Sequence, residues 1–177
     1  MQKLRTNNIF KDIFTKFKNV EVGKKAPDFI AEDINRNSFD LKNRLSKRVL
    51  LSFFPMAWKK TSTIQMKELG QNNSRLGRYG IVPIGISTDP VLSLKNWKKQ
   101  TGIGNLKLIS DFYPHGDISK KYDVFNKKTG RSNRSNIIIG QDDVIIFKHE
   151  YAEHSIPEIE DLINFIKEYR KKSKSAN

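Results

Sequence analysis

LLSFFPMAWKKTSTIQM, residues Leu50 to Met66, reads as a buried strand running into the start of a helix. Val49, Leu50, Leu51, Phe53 and Phe54 form an apolar, aromatic-rich run of strand length, and Pro55 ends it. After a short loop, Thr61-Ser62-Thr63 supplies hydroxyls suited to opening a helix, expected from Ser62 to Gly77. That order sets Ser62 over the positive end of a helix dipole, with helix capping as its plain structural role. A cysteine in that place would lose its proton easily, because the dipole and nearby cations stabilise a thiolate. The chain contains no cysteine at all.

Outward from this stretch, strands and helices alternate. Ile34 to Leu41 is expected to form a hairpin turning at Asn35-Arg36-Asn37. Ile81 to Ser87 is the next strand, in which Pro83 costs a ladder bond and Gly85 permits close packing. Asp89-Pro90 starts a second helix through Leu94 and Trp97 toward Thr101-Gly102. Arg134 to Gly140 reads as a strand, and Asp142-Asp143 turns it into Val144 to Phe147. Ile156 to Tyr169 closes the chain as an amphipathic helix with Pro157 and Glu158 in its first turn. This alternation implies right-handed crossovers and a sheet covered on both faces.

Three stretches carry a family resemblance. Val22 to Phe29 (VGKKAPDF) is similar to the opening of peroxiredoxins and related redoxins. Ser110 to Asn126 (SDFYPHGDISKKYDVFN) resembles the one-cysteine, alkyl hydroperoxide reductase E-like branch of the peroxiredoxin (AhpC/TSA) family. Arg134 to Gly140 (RSNIIIG) matches the family's Arg-Ser-x-Phe-x-Ile-Asp strand, with Gly140 in place of aspartate. The Leu50–Met66 loop then resembles the family's active-site frame, Pro-x-x-x-Thr-x-x-Cys. Pro55 holds the proline, Lys59 replaces the peroxide-orienting threonine, and Ser62 replaces the peroxidatic cysteine. Gln65 stands where a glutamate is common, and Trp58 occupies an aromatic position tied to packing or dimer contact.

The resemblance implies a thioredoxin-like α/β fold: a central mixed β-sheet, helices on both faces and an N-terminal β-hairpin extension. It covers about residues 22–170. Residues 1–21 precede it as a basic amphipathic extension, with Ile9, Phe10, Ile13, Phe14 and Phe17 on one helical face. Residues 171–177 follow as a basic tail. The hydropathy pattern lacks a transmembrane span and a secretory signal, which points to the cytoplasm or an organelle matrix.

Peroxide reduction needs a low-pKa nucleophile, a donor aimed at the peroxide, and an arginine that stabilises developing charge. Only Arg134 stands in register. A serine hydroxyl is far less acidic than a thiol and has no route to a sulfenic acid. Lys59 lies three residues before Ser62, a spacing a Ser–Lys dyad could use, but adjacent Lys60 marks a solvated loop rather than a desolvated base. The leading expectation is therefore a catalytically inactive peroxiredoxin-like protein kept as a binding or structural subunit. Its partner would be a second copy, joined through the active-site-loop surface, or a larger assembly. An alternative is a thiol-dependent peroxidase whose cysteine was changed to serine, which accounts for Ser62 but not for Lys59, Lys60 or Gln65.

A third reading comes from charge. The formal net charge is +14, with five Lys/Arg against two acids in residues 1–22 and five against one in residues 165–177. Such a balance favours acidic partners, including a ribonucleoprotein surface, with Lys59-Lys60 and Arg170-Lys171-Lys172 as candidate phosphate contacts. No cofactor is implied. His115, His149 and His154 lack metal-ligand spacing. With no thiolate to neutralise them, Lys59, Ser62, Thr63 and Arg134 are expected to form an anion site at the helix start.

Overall fold

The computed structural model describes residues 20–44 and 47–175. Five strands form the central sheet in the order β5-β4-β3-β8-β9. They are β3 (Arg48–Phe53), β4 (Ile81–Ser87), β5 (Lys107–Ser110), β8 (Ser135–Ile139) and β9 (Ile145–Glu150). β3 pairs parallel to β4 and antiparallel to β8, which makes the sheet mixed. Two small hairpins, β1 (Ile30–Glu32) with β2 (Ser38–Asp40) and β6 (Phe125–Asn126) with β7 (Arg131–Ser132), sit outside it.

Alternation along β3 splits the interior in two. Leu50 and Phe54 enter a core shared with α1 (Lys60–Gln71), α2 (Asn73–Arg78), α3 (Val91–Thr101) and α5 (Ile159–Ser175). Val49, Leu51 and Phe53 enter the opposite core, closed by Phe29 and Phe39 of the hairpin region and by Ile118 and Tyr122 at α4 (Asp117–Lys121). The thioredoxin-like layering is thus written in a period-two run of side chains. Pro83 falls one residue before β5 begins to pair, at Ile84, so its missing N–H costs nothing on that side. A Cβ on Gly85 would lie 2.6 Å from both Leu108 Cδ2 and Met66 Sδ, the close packing its position demands.

Several boundaries differ from the sequence reading. The first hairpin begins at Ile30, and Ile34 is drawn to β5 through its N–H to the Leu108 carbonyl at 3.0 Å. Its turn does lie at Asn35–Asn37, with Arg36 at φ 66°. The helix expected from Ser62 to Gly77 starts at Lys60 and is two helices, parted at Asn72, whose N–H and Nδ2 both donate to the Glu68 carbonyl. Pro157 and Glu158 precede α5 rather than open it, since a residue before proline disfavours the helical conformation, and this falls on Ile156. α5 then runs to Ser175, so residues 171–175 extend a helix instead of forming a tail. Val20 is 6% exposed within the second core, so the domain includes residues before 22. The expected amphipathic face from Ile9 to Phe17 lies outside the described residues. Among those described, no helix is long and apolar enough to cross a membrane.

Candidate functional site

Phe54 donates its N–H to the Ile86 carbonyl at 3.1 Å, and the chain leaves the sheet at Pro55. Asp89 then receives the Ala57 N–H at 2.8 Å, which pins the loop against the end of β4. Trp58 follows with φ 69° and stays half exposed, its Nε1 donating to Ser93 Oγ at 3.2 Å. Lys59 is the residue immediately before α1, and no side chain caps the helix there.

Ser62 is therefore the third helical residue, not the cap. It is completely buried, and its hydroxyl has no hydrogen-bond partner among the described residues. The hydroxyls on either side are engaged elsewhere. Thr63 Oγ1 donates to the Lys59 carbonyl at 3.0 Å and accepts from Trp97 Nε1 at 3.1 Å, while Thr61 Oγ1 accepts from Arg134.

Arg134 is 1% exposed and bonds to residues of the loop's helix. Its guanidinium donates to Gln65 Oε1, to Thr61 Oγ1 at 2.9 Å, and to the Glu153 carbonyl at 3.2 and 3.4 Å. Burial lowers its pKa, with Glu153 acting in the other direction, yet a guanidinium starts so high that it stays charged at neutral pH. Gln65 explains why an amide suits this place. Its Oε1 accepts from Arg134 while its Nε2 donates to Ser52 Oγ at 2.8 Å, and Ser52 passes a proton bond to Asn136 Oδ1 at 2.7 Å. An ionised carboxylate could accept from Arg134 but could not donate to Ser52. Asn136 Nδ2 continues the chain to Tyr151 Oη at 3.4 Å; burial raises the Tyr151 pKa to about 12.

This network supports a stability prediction. Gln65→Leu keeps the volume but strands a buried guanidinium donor and removes the donor to Ser52 Oγ, which keeps only its bond to Asn136. Urea unfolding should show a loss of about 2–3 kcal/mol. A loss under about 0.5 kcal/mol would mean that water replaces the amide.

The expected anion site is rearranged. Lys59 Nζ lies 2.5 Å from Glu153 Oε1, and this contact holds the Glu153 carboxyl below the usual carboxylate range. The added positive charge thus has an internal partner that the sequence reading missed. Thr63 is committed to Trp97 and Lys59, and Arg134 reaches Thr61 rather than Ser62. A cleft of about 270 Å³ opens beside the loop, lined by Pro55, Lys59, Arg131, Arg134, Tyr151 and Glu153 among others, and Ser62 does not reach it. Glu153 carries no local sequence signal. Ser52 and Asn136 do: each is a polar break in an apolar strand, and the two face each other in register. His115 Nε2 bonds the Gly130 carbonyl at 2.7 Å, a structural role, and the His149 ring packs on Tyr151. Among the described residues no group of three or more histidine or acidic side chains could hold a metal ion.

Comparison with known proteins agrees with this geometry. The AhpC/TSA family model matches residues 22–148. Alkyl hydroperoxide reductase E of Mycobacterium tuberculosis (strain ATCC 25618 / H37Rv) is 33% identical over 129 residues, which is 72% of this chain and 84% of that protein. The reduced 2-Cys peroxiredoxin of Plasmodium vivax superposes with a TM-score of 0.80 at 23% identity, covering 89% of this chain and 85% of its own. Enterococcus faecalis AhpC gives 0.80 at 14% identity, covering 88% and 96%. The last two establish the thioredoxin-like peroxiredoxin fold. With a family model over residues 22–148 and a relative at 33% identity, the chain belongs to the AhpC/TSA family.

Proposed function

We propose that this protein is a catalytically inactive peroxiredoxin-like subunit that works by association, through the surface around its former active-site loop. The observation that carries the reading is Ser62: a wholly buried, unpartnered hydroxyl where the family frame holds its thiol, in a chain without cysteine. No other residue supplies a two-electron reductant for a peroxide bond by that mechanism.

The loop surface supports association. Trp58 is 50% exposed, Leu92 69%, Phe112 49% and Tyr113 89%. The Trp58–Ser93 bond joins the loop to the first turn of α3, and Ser110 Oγ donates to the Asp89 carbonyl at 2.7 Å, which draws the residues after β5 to the same end of the sheet. Exposed aromatic and aliphatic groups gathered this way are typical of an interface centre. A second copy of the chain is the proposed occupant, because this patch is the one expected from the family's mode of pairing.

Sedimentation analysis should find a species of twice 20.5 kDa at micromolar concentration. Trp58→Glu combined with Leu92→Glu should convert it to monomer with the fold kept, raising the dissociation constant at least 100-fold by placing like charges in the interface. A monomer in the parent protein that co-purifies with a different chain through the same surface would replace the homodimer with a hetero-assembly. A monomer indifferent to both substitutions would remove the proposal. Anion binding at the loop is a second, narrower proposal: Glu153→Gln should free Lys59 and give saturable sulfate-dependent NMR shifts at Lys59 that the parent lacks.

A further inference from the structure

A second cleft lies away from the loop, between the tip of the first hairpin and the outer face of α3. Its volume is about 380 Å³, and its walls are Ile34, Asn35, Lys95, Lys98, Lys99 and Gly104. No carboxylate lines it. Leu94 and Trp97 turn into the core, which leaves Lys95 and Lys99 exposed, one helical turn or about 6 Å apart along the axis.

The three lysines are not equivalent. Lys98 Nζ donates to the Leu106 carbonyl at 2.6 Å, and it and Lys99 also answer the negative end of the helix. Lys95 sits a turn earlier and has no such role. Neither Lys95 nor Lys99 has an ion-pair partner among the described residues. The acid that acts on Lys98 is Asp33, which is 6% exposed. Its oxygens are taken up by the N–H groups of Asn35 and Asn37, the Asn37 amide and Lys107. The cleft therefore holds cations that nothing within the described residues neutralises, in a chain of net charge +14.

We propose that this cleft binds the phosphodiester backbone of a single-stranded nucleic acid, with Lys95 and Lys99 meeting neighbouring phosphates and Lys98 forming a fixed wall. The lining offers three cations and no carboxylate, the complement of a strand that carries a negative charge at every nucleotide. The concave shape favours one strand over a duplex or a membrane, and the apolar residue on its wall, Ile34, is buried and unavailable for insertion into lipid. The Asn35 side chain makes no hydrogen bond among the described residues and lines the cleft, where it can meet a sugar or base edge.

The test is a titration of a fluorescent single-stranded RNA oligonucleotide between 50 and 200 mM salt. The parent protein is compared with Lys95→Glu/Lys99→Glu and with Lys127→Glu/Lys128→Glu, a control of equal charge on the exposed turn between β6 and β7. The expected result is at least a tenfold loss of affinity for the α3 variant and under threefold for the control. The slope of log affinity against log salt should fall by about 1.4 for two lost phosphate contacts. Equal losses in the two variants would overturn the site, since binding would then follow diffuse charge. So would no RNA binding by the parent at 50 mM salt. Equal or tighter binding to poly-glutamate or to phosphatidylserine vesicles, with the same dependence on Lys95 and Lys99, would overturn the choice of nucleic acid. Circular dichroism of both variants keeps a folding defect from passing for a binding one.

Discussion

A Ser62→Cys variant should reduce hydrogen peroxide at least about 100-fold more slowly than a cysteine-bearing member of the family, the scale expected when preorganised charge stabilisation is lost. Two effects oppose each other at that thiol. The start of α1 favours a thiolate by about 0.3–1 kcal/mol, and up to about 2 kcal/mol in a partly buried geometry. Full burial works against the charge and moves such a group by up to about 3–5 pKa units, several kcal/mol. In an active peroxiredoxin an arginine offsets that cost. Here Arg134 spends its donors on Gln65, Thr61 and the Glu153 carbonyl, and nothing among the described residues donates to the Ser62 hydroxyl. Burial wins, and the new thiol should stay protonated at neutral pH. The rate of iodoacetamide alkylation against pH reads this directly, beside peroxide consumption. An apparent pKa below 7 with rapid turnover would show that the site lost only its sulfur, and would revive the reading of a peroxidase altered at one atom.

Trp97→Ala should destabilise the protein by about 3–5 kcal/mol, the usual cost of emptying a large aromatic site in a core. Trp97 is fully buried and packs at a tilt against Phe54, with ring centroids 5.3 Å apart. Its indole N–H also reaches Thr63, so one side chain ties α3 both to the end of β3 and to the first turn of α1. For a chain of 177 residues the melting temperature should drop by about 6–20 °C. Trp97→Phe separates the two contributions, because it keeps most of the packing and gives up only the hydrogen bond and part of the ring. It should cost roughly 1–2 kcal/mol. A drop of less than about 2 °C in the alanine variant would mean that the loop is held by other contacts.

The frame of the site was legible in the chain because it rests on local or fixed-register features. A proline ends a strand wherever it lacks a ladder partner, and Arg134 sits at a set distance from an apolar strand that can pair in few ways. The helix start was misread by two residues for a physical reason. Three consecutive hydroxyls look like caps, yet within a helix such a hydroxyl can bond back to the carbonyl four residues earlier, as Thr63 does to Lys59. What escaped the sequence altogether is the pairing of Lys59 with Glu153, 94 residues away. No periodicity or spacing connects them; only the return of the chain after β9 brings the acid to the loop. Gln65 lies between these cases. Its identity was visible, but its function depends on Ser52 and Asn136 meeting across β3 and β8.

One segment has a consequence for the whole molecule. Residues 23–26 bond along β9, through Gly23 N–H to the Ile145 carbonyl at 2.8 Å, Ile145 N–H to the Lys24 carbonyl at 2.9 Å and Ala26 N–H to the Asp143 carbonyl at 2.8 Å. Seven residues after Ala26 the same segment bridges Asp33 to Ile109 on β5, the strand at the other end of the sheet. A single stretch thus crosses the full width of the sheet and covers the start of β9 on one margin and the middle of β5 on the other, where unpaired N–H and carbonyl groups would otherwise recruit strands from other molecules. Chains shortened to begin at Val20 should remain free of fibrils. Those beginning beyond Asp33 would present two bare templates at once, and growth from both ends of the sheet makes polymerisation, rather than simple unfolding, their fate.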